Sequence, residues 1–360
     1  MKRILYVVDG EESAQFRYRV KNVGEILSGT KRWNIEWVMK DDLQSVDLNE
    51  YEFVIILRQT AKDEKILKFI DRAHNVKKKI LFDLDDLVFD YIDLWLLMRS
   101  TNSKNVFYWA GYFWGIRRIA KKVDGFITTN EFLAKKLKRS FERPVKVIRN
   151  SLNSDQIDVS DRWVKKKNGR MNLEKKMDKV KQFKIGYFSG SPTHAKDFRL
   201  VEVELMKFLK THEDVVLKIV GYMEFSDEMR EIIEDGRVEI VGIVDYVRLQ
   251  ELISKVDVNI APLVLNDFTN CKSELKFFEA AAVETTTIAS PTYTFKKAIK
   301  DGENGFLAYP GEWYNKLEYL YEHPDENRKI AREARKYALK HYYGTEFLKE
   351  VEEAYDYFVK

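Results

Sequence analysis

The chain has 360 residues, enough for two domains of ordinary size, each with its own core. Hydrophobic residues make up 45% and charged residues 33%, and the net charge of +4 is too mild to call for a nucleic-acid partner. The single cysteine, Cys271, excludes a disulfide framework and fits a reducing cytoplasm, while no apolar run is long enough for a signal peptide or a membrane-spanning helix.

Apolar runs at Ile4–Val8, Asn34–Val38, Phe53–Leu57, Lys79–Phe82, Gly125–Thr128 and Val145–Ile148 read as strands. Helical patterns over Ala61–His74, Val106–Lys122 and Glu131–Ser140 lie between them. Strands alternating with helices predict a parallel, doubly wound α/β domain over residues 1–160. Residues 161–182 carry a run of lysines and arginines with few apolar positions and read as a solvated interdomain connection. The alternation restarts at Phe183–Phe188 and continues through strands Val215–Val220, Val238–Val241, Val256–Ile260 and Thr286–Ala289. A second doubly wound domain is therefore expected over residues 183–340, with a charged helical tail over 341–360. Ligands of open α/β sheets bind at the carboxyl ends of the strands, so two such domains facing each other would hold a ligand in the cleft between them.

Three loops carry candidate chemistry. The turn SGSPTHAKD, after Phe188, offers Gly190 for close backbone approach, hydroxyls on Ser191 and Thr193, and cations on His194 and Lys196, a set suited to phosphate. ILFDLDDLVFD contains Asp83 and Asp85 at the spacing of the nucleophile and acid/base of haloacid-dehalogenase-type phosphatases. Leu87 replaces the threonine of that motif, and no later acidic pair offers a magnesium site. We expect instead that Asp85 and Asp86 line the ligand cleft, with Arg17 reaching an anionic group there. NCKSELKFFEAAAVETTTIASP spaces Lys272, Lys276 and Glu279 on one face of a helix starting near Ser273. Two lysines at a helix N-terminus suit a diphosphate, and a carboxylate one turn on suits ribose hydroxyls. Tyr91–Lys122 interleaves aromatics with Arg117, Arg118, Lys121 and Lys122. It reads either as core of the first domain or as a surface for a membrane or lipid-linked substrate.

FKIGYFSGSPTHAKDF, VDVNIAPL, NCKSELKFFEAAAVETTTIASP and DGENGFL together resemble the donor half of family 4 glycosyltransferases, which have the GT-B fold of two Rossmann-like domains. FRYRV, FDLDDLVFD, ITTNEFLAKKL and VIRNSLN resemble the acceptor half of one bacterial branch, which makes cell-surface polysaccharide. The resemblance implies that Glu279 holds the nucleotide ribose and that Lys276 and Lys196 hold the donor diphosphate. It places Gly190 in the close-approach turn, Gly242–Asp245 beside the base, and the last helix back on the first domain. The family's other glutamate falls on Cys271, so Lys272, Ser273 or a backbone group is expected to meet the donor sugar instead.

The implied activity is retaining transfer of a sugar from a nucleotide-diphosphate donor to an acceptor hydroxyl. No metal or cofactor is required, and the acceptor is a saccharide or lipid-linked molecule in the cytoplasm or at the inner face of the membrane. A GT-B epimerase or phosphorylase, a non-catalytic nucleotide-sugar-binding subunit and an Asp83-dependent phosphatase are the rival readings.

Overall fold

In the computed structural model, residues 1–359 are described apart from 62–63, 101–102, 178–181, 191–194, 222 and 224. The chain divides into two compact units, one of residues 1–153, 270–273 and 341–360, the other of residues 154–269 and 274–340.

The first unit is a six-stranded parallel sheet of β1 (Lys2–Val8), β2 (Trp33–Met39), β3 (Phe53–Leu57), β4 (Lys79–Leu84), β5 (Gly125–Thr128) and β6 (Val145–Val147). Its strand order is β2-β1-β3-β4-β5-β6. The central strands are continuous apolar runs because helices cover both faces of a parallel sheet. The order reverses between β1 and β3, which makes that crevice the topological switch point of the unit. Helix Thr345–Val359 closes the core: Tyr355 packs edge-on against Trp33 and Phe53 at 5.6 Å, and its hydroxyl meets that of Tyr6 at 3.0 Å. Gly125 permits this approach, since a Cβ there would lie 2.6 Å from the Phe358 ring.

The second unit is a parallel sheet of β7 (Phe183–Ser189), β8 (Val215–Gly221), β9 (Val238–Val241), β10 (Val258–Ala261), β11 (Thr286–Ala289) and β12 (Phe306–Leu307). The order β12-β11-β10-β7-β8-β9 is the doubly wound Rossmann order, with the switch point between β7 and β10. Gly221 ends β8 at φ +105°, and a Cβ there would meet the Ser189 carbonyl oxygen at 1.8 Å. Only glycine fits at this close approach, which sets the level at which β7 gives way to the loop after it.

Residues 161–177, expected as part of a solvated interdomain connection, lie within the 24-residue helix Ser154–Met177. Polar contacts hold it to its unit: the Gln250 amide donates to Ser160 Oγ at 3.1 Å, and the Tyr246 hydroxyl donates to Asp155 at 2.6 Å. The helix expected to start at Ser273 runs Leu275–Ala282. It closes with a Schellman turn in which Glu284 takes φ +53°, at the position usually given to glycine.

Candidate functional site

The switch point of the second unit is built by β7, β10 and helix Leu275–Ala282. Asn259 on β10 donates its side-chain amide to the Lys276 carbonyl at 2.9 Å and to Thr287 Oγ1 at 3.1 Å. This ties the first turn of the helix to the sheet. Lys276 Nζ then lies 4.6 Å from the centroid of the Tyr187 ring on β7. That nitrogen is buried and has no hydrogen-bond partner among the described residues. Burial lowers the Lys276 pKa to about 8, against the raising pull of Asp197 and Glu279. A buried ammonium facing an aromatic ring, with no counter-ion in contact among the described residues, is a position prepared for an anion.

Glu279, one turn further along, is buried and accepts from the Gln156 side-chain amide at 3.2 Å. The helix Ser154–Met177, not foreseen in the sequence, thus supplies the residue that orients this carboxylate. Gly190 follows β7 and is exposed, with open space where a Cβ would stand. Lys196 is exposed in the first turn of helix Ala195–Thr211. Ser191, Thr193 and His194 lie outside the described residues. Asp245 caps helix Tyr246–Ile253, accepting from the backbone N–H groups of Val247 and Arg248 at 2.9 and 2.8 Å. Capping accounts for its carboxylate without a ligand.

The spacing of Lys272 and Lys276 suggested one helical face, and here the structure differs. Lys272 precedes the helix, belongs to the first unit, and donates to Asp86 at 2.8 Å. Ser273 is half-buried just before the helix and does not cap it, because Glu274 occupies the cap position. The carbonyl of the buried Cys271 accepts from the Asn130 amide at 2.8 Å.

In the first unit, Asp85 and Asp86 follow β4 and share Arg58, at 3.1 and 3.4 Å. Asp85 also accepts from the Gln15 amide at 2.6 Å. Burial pushes the Asp86 carboxyl up, but Lys272 and Arg58 together hold it below its ordinary value. Arg17 lies over the Tyr18 ring at 4.3 Å, in a short π-helical turn after β1. Asp83 is fully buried and paired with Arg19 at 3.0 Å, and Arg19 also donates to the Ile148 carbonyl at 2.5 Å. A carboxylate sealed against an arginine has no access to a phosphate ester. The phosphatase reading of Asp83 therefore fails on burial.

The family model described as "Glycosyl transferases group 1" matches residues 183–323. The putative glycosyltransferase EpsD of Bacillus subtilis (strain 168) is 33% identical over 95 residues, which is 26% of this chain and 24% of that protein. The matched segment thus spans about a quarter of this curated relative. Among solved structures, Anabaena Alr3699/HepE in complex with UDP and glucose superposes with a TM-score of 0.64 at 15% identity, over 99% of this chain and 100% of that one. A glycosyltransferase from Rickettsia africae ESF-5 gives 0.66 at 15% identity, over 100% and 99%. Sucrose-phosphate synthase from Thermosynechococcus elongatus gives 0.64 at 14%, over 99% of each chain. At these identities the likeness shows the fold, the two-Rossmann GT-B architecture.

Proposed function

We propose that the chain transfers a sugar, with retention, from a nucleoside-diphosphate donor to an acceptor hydroxyl, a reading supported by the match of residues 183–323 to the family model described as "Glycosyl transferases group 1". The observation that carries this is the buried Nζ of Lys276 at the switch point of the second unit, a cation without a hydrogen-bond partner among the described residues. As the glycosidic bond breaks, negative charge grows on the departing diphosphate, and Lys276 stabilises it inside a low-dielectric pocket, with Lys196 at its rim. The Glu279 carboxylate, oriented by Gln156, accepts hydrogen bonds from the ribose hydroxyls. The backbone at Gly190 borders the diphosphate in this reading. Retention follows from same-face attack, in which the departing phosphate takes the acceptor proton. Lys272 and Ser273 stand near the position of the family's missing glutamate and meet the donor sugar in this reading. Cell-surface polysaccharide or glycolipid synthesis at the inner face of the membrane is the assigned setting.

The test is calorimetric titration of UDP, GDP, dTDP and ADP into the full chain. The Anabaena protein was solved with UDP and glucose, which makes UDP the first probe. One nucleotide is expected to bind with a Kd of about 1–100 μM and to raise Tm accordingly. Glu279→Ala should lose this binding, and absence of binding by all four nucleotides overturns the reading. With its pKa near 8, Lys276 is charged below that pH and neutral above it. A bound diphosphate favours the charged form, so affinity should fall as pH rises through 8. Binding near pH 8 should take up protons, seen as a dependence of the heat on buffer ionisation enthalpy.

The first unit exposes Ile92, just before helix Leu94–Ser100, Trp95 on that helix, and Phe107, Tyr108 and Trp114 on helix Val106–Ala120, with Phe107 91% exposed. Arg99, Lys104 and Lys121 are exposed in the same stretch. This apolar and basic surface fits an anionic bilayer. Wild-type chain should float with phosphatidylglycerol vesicles in a density gradient, and Trp95→Ser/Phe107→Ser should stay at the bottom. Equal flotation of both proteins removes the membrane from the proposal.

A further inference from the structure

Glu279 is not the only carboxylate whose charge reaches Lys276: Asp197 acts on it too, and more strongly. Asp197 is half-buried in the first turn of helix Ala195–Thr211, the helix that follows β7. Its neighbour Phe198 is buried and packs on Tyr187 of β7, 5.0 Å between ring centroids. The Lys276 ammonium stands over the same Tyr187 ring, at 4.6 Å. Asp197 itself accepts a hydrogen bond from the Val264 backbone N–H at 2.9 Å. Val264 lies in the loop after β10, and the residue before it, Leu263, donates its N–H to Ser290 Oγ at 2.9 Å, directly after β11. One carboxylate therefore joins the helix after β7 to the loop after β10, and these are the two strands that flank the switch point.

A carboxylate is an unexpected neighbour for a diphosphate site, because like charges repel. The burial of Lys276 gives it a purpose. An ammonium taken out of water without a hydrogen-bond partner among the described residues is pushed toward its neutral form, in which it would offer a phosphate no charge. The titratable groups that face it among the described residues are Asp197 from helix Ala195–Thr211, Tyr187 from β7 and Glu279 from its own helix. Burial raises the Tyr187 hydroxyl well above its ordinary range, so that group stays neutral. From β10 comes Asn259, which does not titrate. We propose that Asp197 is a positioning residue for the donor diphosphate: it clips the helix after β7 to the loop after β10 and holds Lys276 in its charged form until the diphosphate replaces it as the counter-charge. The proposal rests on the donor reading of Lys276 for the word diphosphate, but the pairing of the two side chains is testable on the ligand-free chain.

The test is a pH titration of the Lys276 side chain in the full chain, carbon-13 labelled at lysine Cε and followed by heteronuclear NMR. The resonance is assigned by its loss in Lys276→Met. In the wild type its midpoint should stand near 8. Asp197→Asn removes the charge but keeps an oxygen for the Val264 N–H, so its midpoint should fall by at least about half a pH unit. Asp197→Glu, which keeps the charge, should stay closer to wild type. Asp197→Ser is a second neutral variant should the asparagine chain not fold. Calorimetric titration with UDP between about pH 7 and 9 should show affinity beginning to fall at a correspondingly lower pH in the neutral variants, a displacement that loosened packing does not produce. Equal Lys276 midpoints in the wild type and the neutral variants overturn the proposal. A lowered midpoint in chains that bind no UDP supports the pairing of the two side chains and counts against the donor assignment instead.

Discussion

Lys276→Ala is expected to lower turnover with a nucleotide-sugar donor by roughly 10²–10³-fold, the usual loss when one preorganised stabiliser of a developing oxyanion is removed. The effect should fall mainly on kcat, because the charge on the leaving diphosphate grows between the bound donor and the transition state. A loss of activity through unfolding is separable. Nζ is buried without a hydrogen-bond partner among the described residues, and burial lowers its pKa to about 8. The buried ammonium therefore carries a desolvation cost at neutral pH, and removing it should raise Tm of the ligand-free chain while activity falls. The wild type should itself gain stability as pH rises from about 8 to the ordinary lysine range, because the folded state binds fewer protons there than the unfolded chain. Lys276→Ala should lack that gain. Turnover within threefold of wild type would sink the assignment.

Asp83→Asn is expected to destabilise the first unit by about 3–5 kcal/mol, because it leaves the Arg19 guanidinium buried without its counter-charge. Arg19 and Asp83 are essentially inaccessible to solvent, and the remaining Arg19 contacts, to the Ile148 carbonyl and the Asn150 side chain, are neutral acceptors. Burial raises the Asp83 pKa to about 6 even beside Arg19, so desolvation outweighs the attraction of the guanidinium. The double variant Arg19→Met/Asp83→Leu should then recover most of the loss, as apolar replacements of buried pairs commonly do. Urea unfolding followed by tryptophan fluorescence would read both variants. Five of the seven tryptophans, residues 33, 37, 95, 109 and 114, lie in the first unit. A stable, folded Asp83→Asn would mean that the pair is not the anchor described.

Strand positions were largely legible because a parallel sheet buries both faces: Phe53–Leu57, Gly125–Thr128, Val238–Val241 and Thr286–Ala289 have the same bounds in sequence and structure. β12 was not foreseen, since two residues after a glycine-rich turn carry no periodicity. The helix Ser154–Met177 was hidden for a different reason. Its buried positions include Gln156 and Ser160, polar residues that hydrogen-bond to Glu279 and Gln250 and so carry no apolar periodicity in the sequence. Spacing alone grouped Lys272 with Lys276, but the helix starts after Lys272, and tertiary pairing with Asp86 decides where that side chain goes. Lys276 and Glu279 stood out because a lysine and a carboxylate three apart in an alanine-rich helix are visible in any register. Asp197 did not. Nothing in THAKDF marks its carboxylate as the acceptor for the Val264 N–H, a pairing that only the fold creates.

The docking of helix Thr345–Val359 onto Trp33, Phe53 and Tyr6 bears on the order in which the chain can fold as it is made. Residues 1–153 leave the ribosome first, yet Phe347, Val351, Tyr355 and Phe358, which complete their core, follow only after the whole second unit. Domains generally fold as they emerge, N-terminal first. Here the earlier sheet must wait with Trp33 and Phe53 uncovered for about 190 further residues, 154–344, during which the second unit can close on its own. At about 5–20 residues per second that interval lasts roughly 10–40 s. The nascent first unit is thus the part of this chain most in need of a chaperone.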